Sequence, residues 1–87
     1  MIIDRDSEVP VYVQIANQLR DQILSGKLPA GRRIPTKRYL RENHGVSGVT
    51  FDKATAILKA EGLIRPSKGL GLFVVPENER PRPKRER

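Results

Sequence analysis

Residues 36–62, TKRYLRENHGVSGVTFDKATAILKAEG, decide the fold. Thr36 stands where a helix N-cap belongs, its hydroxyl oxygen placed to accept from the N–H groups of a first turn. A short helix over residues 37–43 follows, with Leu40 facing inward. His44-Gly45 breaks it, because Gly45 tolerates the positive φ that a tight turn requires. Val46 is expected in the core, and Ser47 is a second N-cap. The next helix covers residues 48–60. Phe51, Ala54, Leu58 and either Ile57 or Thr55 form its apolar face, while Gly48, Val49, Asp52, Lys53 and Lys59 stay outside. Glu61-Gly62 stops it. Two short helices joined by a tight glycine-containing turn read as a helix-turn-helix.

Upstream, Pro10 is expected to open a helix over residues 11–25, since proline is tolerated in the first helical turn. Tyr12, Ile15, Ala16, Leu19 and Ile23 recur on one face, with Arg20 and Asp21 opposite. Tyr12 is expected in the core or on a dimer face. Gly26 follows the helix, and residues 27–35 are a loop with Ile34 as its apolar anchor, a candidate for a short strand. Downstream, strands are expected over residues 63–65 and 72–75, joined by a hairpin loop over 66–71. A hairpin directly after the second helix of the pair makes the motif winged. The expected fold is mainly helical with a small β-hairpin, a three-helix winged helix-turn-helix over residues 1–76.

The remaining residues, 77–87, read ENERPRPKRER. They offer almost nothing apolar to offset ordering entropy, so a disordered basic tail is expected. That tail holds five basic and three acidic residues. The other 76 residues keep twelve basic and seven acidic, a net charge of +5 within the chain's +7. The positive balance therefore belongs to the folded part and implies a polyanionic partner.

Other classes are excluded by what is missing. At 87 residues the chain holds one small domain. It has no Cys and a single His, His44, so a disulfide scaffold, a thiolate zinc site and a histidine metal centre are all excluded. No cofactor and no metal are expected. No run of 18 apolar residues exists to cross a membrane, and residues 1–6 are charged too early for a secretory signal. Gly69-Leu70-Gly71 lies in a hairpin and does not open a helix, so it is not a phosphate cradle. Nor is there a paired-carboxylate pattern, so an enzyme is not expected.

The winged motif suits double-stranded DNA. The helix over 48–60 fits a major groove with its N-terminal residues toward base edges. Gly48 and Val49 permit close approach and apolar contact. Thr50 is placed to meet a phosphate or a thymine methyl, and Lys53 a base or phosphate. Thr36, Lys37, Arg38 and Ser47 are expected to fix register on the backbone. Lys68 and Gly69, at the wing tip, are expected on the flanking groove. Asp52 repels phosphate; it is expected to accept from a cytosine amino group or to orient Lys53 or Arg38. Tyr39 reads as exposed and near phosphate. The same basic face also suits an acidic protein partner. Non-specific nucleic-acid or RNA binding is a weaker alternative, because two Tyr and two Phe leave no stacking platform.

Three segments taken together resemble the GntR family of bacterial transcription regulators, and its YtrA-like branch most closely. They are PVYVQIANQLRDQILSGKLPAGRRIPTKRYL (10–40), HGVSGVTFDKATAILKAEGLI (44–64) and KGLGLFV (68–74). The resemblance implies a winged helix-turn-helix that binds an inverted-repeat operator as a dimer, in the bacterial cytoplasm on the nucleoid, and most simply as a repressor. It also implies a C-terminal domain for dimerisation and effector sensing. No such domain follows Pro76, so a small-molecule effector is not expected. The family pattern usually carries arginines in the recognition helix where this sequence has Gly48 and Asp52; its arginine at the preceding helix is matched by Arg38.

Overall fold

In the computed structural model, residues 1–67, 69 and 71–81 are described. Helix α1 (Val11–Leu24) is followed by α2 (Lys37–His44) and α3 (Gly48–Ala60). Strands β1 (Ile64–Ser67) and β2 (Gly71–Val74) then form an antiparallel hairpin. This is the mainly helical, three-helix architecture with a hairpin that the patterning implies.

Two hydroxyls and one glycine set the boundaries around the helix-turn-helix. Thr36 Oγ1 accepts from the Tyr39 N–H at 3.0 Å and starts α2. Gly45 ends it with φ +65°, a conformation that a side chain would strain. The Val46 N–H then donates back to the Leu40 carbonyl at 3.2 Å, closing the glycine-capped end. His44 is thus the last residue of α2, and Gly45 alone breaks it. Ser47 Oγ accepts from the Thr50 N–H at 3.1 Å and starts α3.

Helix α1 lies along α3, and their facing stripes make the centre of the core. Ile15, Ala16 and Leu19 of α1 meet Ala54 and Leu58 of α3, all fully buried. Leu40, Val46, Leu63, Ile64 and Val74 close the cluster from the other elements. On α3, Thr55 is the buried member of the pair left open by the spacing, and Ile57 is half-buried. Thr55 can enter the core because its Oγ1 is shared between the carbonyls of Phe51 and Asp52, so no polar atom is orphaned. Pro10 is the N-cap of α1, in an extended conformation, and its carbonyl accepts from Val13 and Gln14. A nitrogen at that position has no partner within the helix, so the ring's missing N–H is without cost.

The hairpin is longer than its sequence suggests. Strand β1 runs through Pro66 to Ser67, and β2 starts at Gly71. Proline is tolerated there because of register. The Val75 N–H bonds to the Leu63 carbonyl, and ladder bonds recur at every second pair. Pro66 opposite Leu72 therefore falls on a non-bonded pair and loses nothing. The far edge of β2 is covered by the segment around Arg33. Ile34 N–H donates to Leu72 O, and Val74 N–H donates to Arg32 O, both at 2.9 Å, giving a bridge between Arg33 and Phe73. The expected short strand at Ile34 is this single bridge.

Three tethers hold the periphery. The first fixes residues 2–9 to α1: Gln14 and Gln18 turn their side-chain amides onto the backbone of Ile2, Asp4 and Val9. From that arm Arg5 Nη2 donates to the carbonyls of His44 and Gly45, at 3.0 and 3.3 Å, and so caps the C-terminus of α2. The second joins α1 to the end of α3. Arg20 meets Glu61 in a two-pronged pair at 2.8 and 2.7 Å. Hydrogen bonding to Glu61 raises the already high pKa of the guanidinium, against the opposing effect of burial. Arg20 is therefore a clamp between helices and not a free polar-face residue.

The third tether runs through residues 77–81, where the expected tail begins. Glu77–Glu79 form one 3-10 turn. Arg80 Nε donates to Val75 O at 2.9 Å, and Glu79 pairs with Arg65 at 2.8 Å. Pro81 lies so close over Gly62 that a Cβ on that glycine would overlap its ring. Polar anchors and one close packing contact order this stretch where apolar burial alone would not. Residues 82–87 of the expected tail lie outside the described residues.

Candidate nucleic-acid interface

The first turns of α2 and α3 come together on one side of the molecule. Lys37 Nζ reaches Asp52 Oδ1 at 3.1 Å and stands 6.0 Å from the centre of the Phe51 ring. Its methylenes cover Gly48: a Cβ built there would sit 3.6 Å from Lys37 Cδ. Asp52 is thus the partner of Lys37, and not the orienter of Lys53 or Arg38 that its position suggests. A shallow cleft of about 200 Å³ continues this surface toward the hairpin, lined by Thr36, Lys37, Phe51, Gly71, Leu72 and Arg33. One continuous face therefore holds the α2 start, the first turns of α3 and the turn end of the wing.

Arg38 lies in the first turn of α2, well exposed, with its Nε 3.0 Å from Glu42 one turn on. A cation is disfavoured at a helix N-terminus, and Glu42 offsets that cost locally. Ser47 combines two bonds. Besides capping, its Oγ donates to Thr50 Oγ1 at 2.9 Å, which holds both hydroxyls at the mouth of α3. Replacing Ser47 with alanine is expected to cost about 1 kcal/mol, the usual worth of a cap, whereas Ser47→Asp should retain that stability. Chemical denaturation of both variants checks this, and an equal loss in both would remove the capping role.

Val49 is the most exposed of the α3 candidates with an apolar side chain, at 66%. Lys53 is turned away from the first turn: its Nζ sits 5.4 Å over the ring of half-buried Tyr12, a cation–π contact that ties it to α1. Tyr39 is half-exposed and meets His44 edge to face, with ring centres 5.9 Å apart. Gly69 is exposed at the turn of the hairpin. Lys68 lies outside the described residues. The structure thus gathers Thr36, Lys37, Ser47, Gly48, Val49 and Thr50 on one patch, with Arg38 beside it and Lys53 at its margin. The roles of Arg5 and Arg33 are not visible in the sequence, because each depends on a contact between segments far apart in the chain.

The comparisons agree with this geometry. HTH-type transcriptional repressor NagR of Bacillus subtilis (strain 168) is 39% identical over 74 residues, covering 85% of this chain and 30% of NagR. The chain thus spans less than a third of the length of the curated relatives it first matches. YtrA from Sulfolobus acidocaldarius, a GntR-family transcription factor, superposes with a TM-score of 0.77 at 36% identity, covering 88% of this chain and 65% of that one. The DNA-binding domain of AraR, solved in complex with its operator ORR3, gives 0.73 at 31% identity, covering 86% and 90%. Residues 11–74 match the profile described as bacterial regulatory proteins, gntR family, and the chain belongs to that family.

Proposed function

We propose that this domain binds operator DNA sequence-specifically and regulates transcription, most simply as a repressor. The observation that carries the reading is the single face on which the exposed start of α3, the first turn of α2 and the turn end of the wing adjoin. A helix whose first turn is exposed in this way fits a major groove, with the neighbouring helix on the backbone. Thr36, Lys37, Arg38 and Ser47 hold phosphates. Gly48, Val49 and Thr50 face base edges, with Lys53 at the margin. Lys68 and Gly69 of the wing touch the flanking groove. Two copies on an inverted repeat, about one helical turn apart, read the two half-sites. NagR is named a repressor, and the AraR domain was captured on operator DNA, which supports the reading.

The test is selection from a randomised duplex pool, followed by titration of the winner against salt. An inverted repeat bound at least ~10³ tighter than random DNA is the expected result. On that operator, Arg38→Ala should lower the magnitude of the log–log salt slope by about 1, the signature of one lost phosphate contact. Steeply salt-dependent binding without any consensus would overturn the reading.

A further inference from the structure

The outward face of α3 lacks the side chains that usually read bases. Its sequence, GVTFDKATAILKA, contains no Arg, Asn or Gln. Arg matches guanine with two donors, and Asn or Gln matches adenine with one donor and one acceptor. Of the nearby cations, Lys37 and Arg38 are assigned to phosphates, and Lys53 leans over Tyr12. Asp52 is held by Lys37 at 3.1 Å. What the first turn presents outward is a valine, 66% exposed, following a glycine that lies under the Lys37 stem. In the major groove the apolar partner for such a side chain is the C5-methyl of thymine.

We propose that Val49 is a specificity-determining residue that selects a thymine in each half-site by its 5-methyl group. The inference rests on the operator-binding reading above. Burial of one methyl-sized group predicts about a four-fold loss of affinity per half-site when that methyl is removed. The other face of the pair does not supply this selectivity, because a thymine differs from a uracil only at that methyl.

The experiment uses the full chain and the operator recovered by selection. Each thymine is replaced in turn by deoxyuridine, symmetrically in both half-sites, and affinity is measured for the parent chain and for Val49→Ala. One position is expected to weaken the parent by about 16-fold over two half-sites, with little further effect in Val49→Ala. If no deoxyuridine weakens binding, or if the loss is the same in both proteins, the proposal is overturned while operator binding stands. If selection yields no consensus at all, both fail together. Val49 is exposed, so the variant should fold as the parent does, and the DNA substitution leaves the protein untouched.

Discussion

Leu58→Ala is expected to destabilise the domain by about 3 kcal/mol, the middle of the range for emptying a fully buried leucine site. Leu58 is 0% exposed and belongs to the core cluster that also holds Leu19 and Ile15, where α1 packs on α3. Neither helix can follow the lost side chain inward, because their ends are fixed. Arg20 and Glu61 tie α1 to the end of α3, and Ser47 and Thr50 cap its start. A cavity therefore remains. A domain of this size is worth roughly 4–11 kcal/mol in all, so the loss is a large fraction of the total. Thermal unfolding should show a fall of roughly 12–24 °C. Val49→Ala, on the exposed face of the same helix, should stay within about 0.5 kcal/mol of the parent. A fall of under about 1 kcal/mol for Leu58→Ala would mean that α1 and α3 do not share one packed core.

Gly48→Ala separates folding from binding more sharply than any other single change. Gly48 is the first residue of α3, and a Cβ there would meet Lys37 Cδ at 3.6 Å, an ordinary contact. Alanine also has the higher helix propensity and restricts the unfolded chain. The variant should therefore gain about 0.5 kcal/mol of stability. The same methyl would lie against the Lys37 stem, at the edge of the surface proposed to meet DNA. Operator affinity should fall at least about ten-fold, the equivalent of one mismatched base pair. A variant that is more stable and yet binds normally would remove Gly48 from the interface and leave it as an ordinary helix start.

Much of the scaffold was legible in the sequence because its causes are local. Thr36 and Ser47 cap helices through N–H groups three residues away. Gly45 ends α2 through its own φ. The stripe Ile15, Leu19, Ile23 follows from the pitch of a helix. Boundaries moved where a non-local partner intervened. Pro66 joins β1 because the register set by Leu63 and Val75 leaves its nitrogen unneeded. Residues 77–81 are ordered by Arg65, Val75 and Gly62, contacts that no composition rule anticipates.

The candidate interface divides in the same way. Which residues lie outward on α2 and α3 follows from spacing alone, and so does the hydroxyl pair at the start of α3. The engagement of the charges does not. Lys37 finds Asp52 fifteen residues on, and Lys53 finds Tyr12 on another helix. Arg5 reaches across 39 residues to His44. Periodicity and capping act within a turn or two of the chain, so the sequence by itself determined the three helices, the turn between α2 and α3, the winged order and the net positive charge. Ion pairs and cation–π contacts depend on where distant segments meet. Only the tertiary structure decided which distant partners the basic side chains meet, Asp52 for Lys37 and the Tyr12 ring for Lys53.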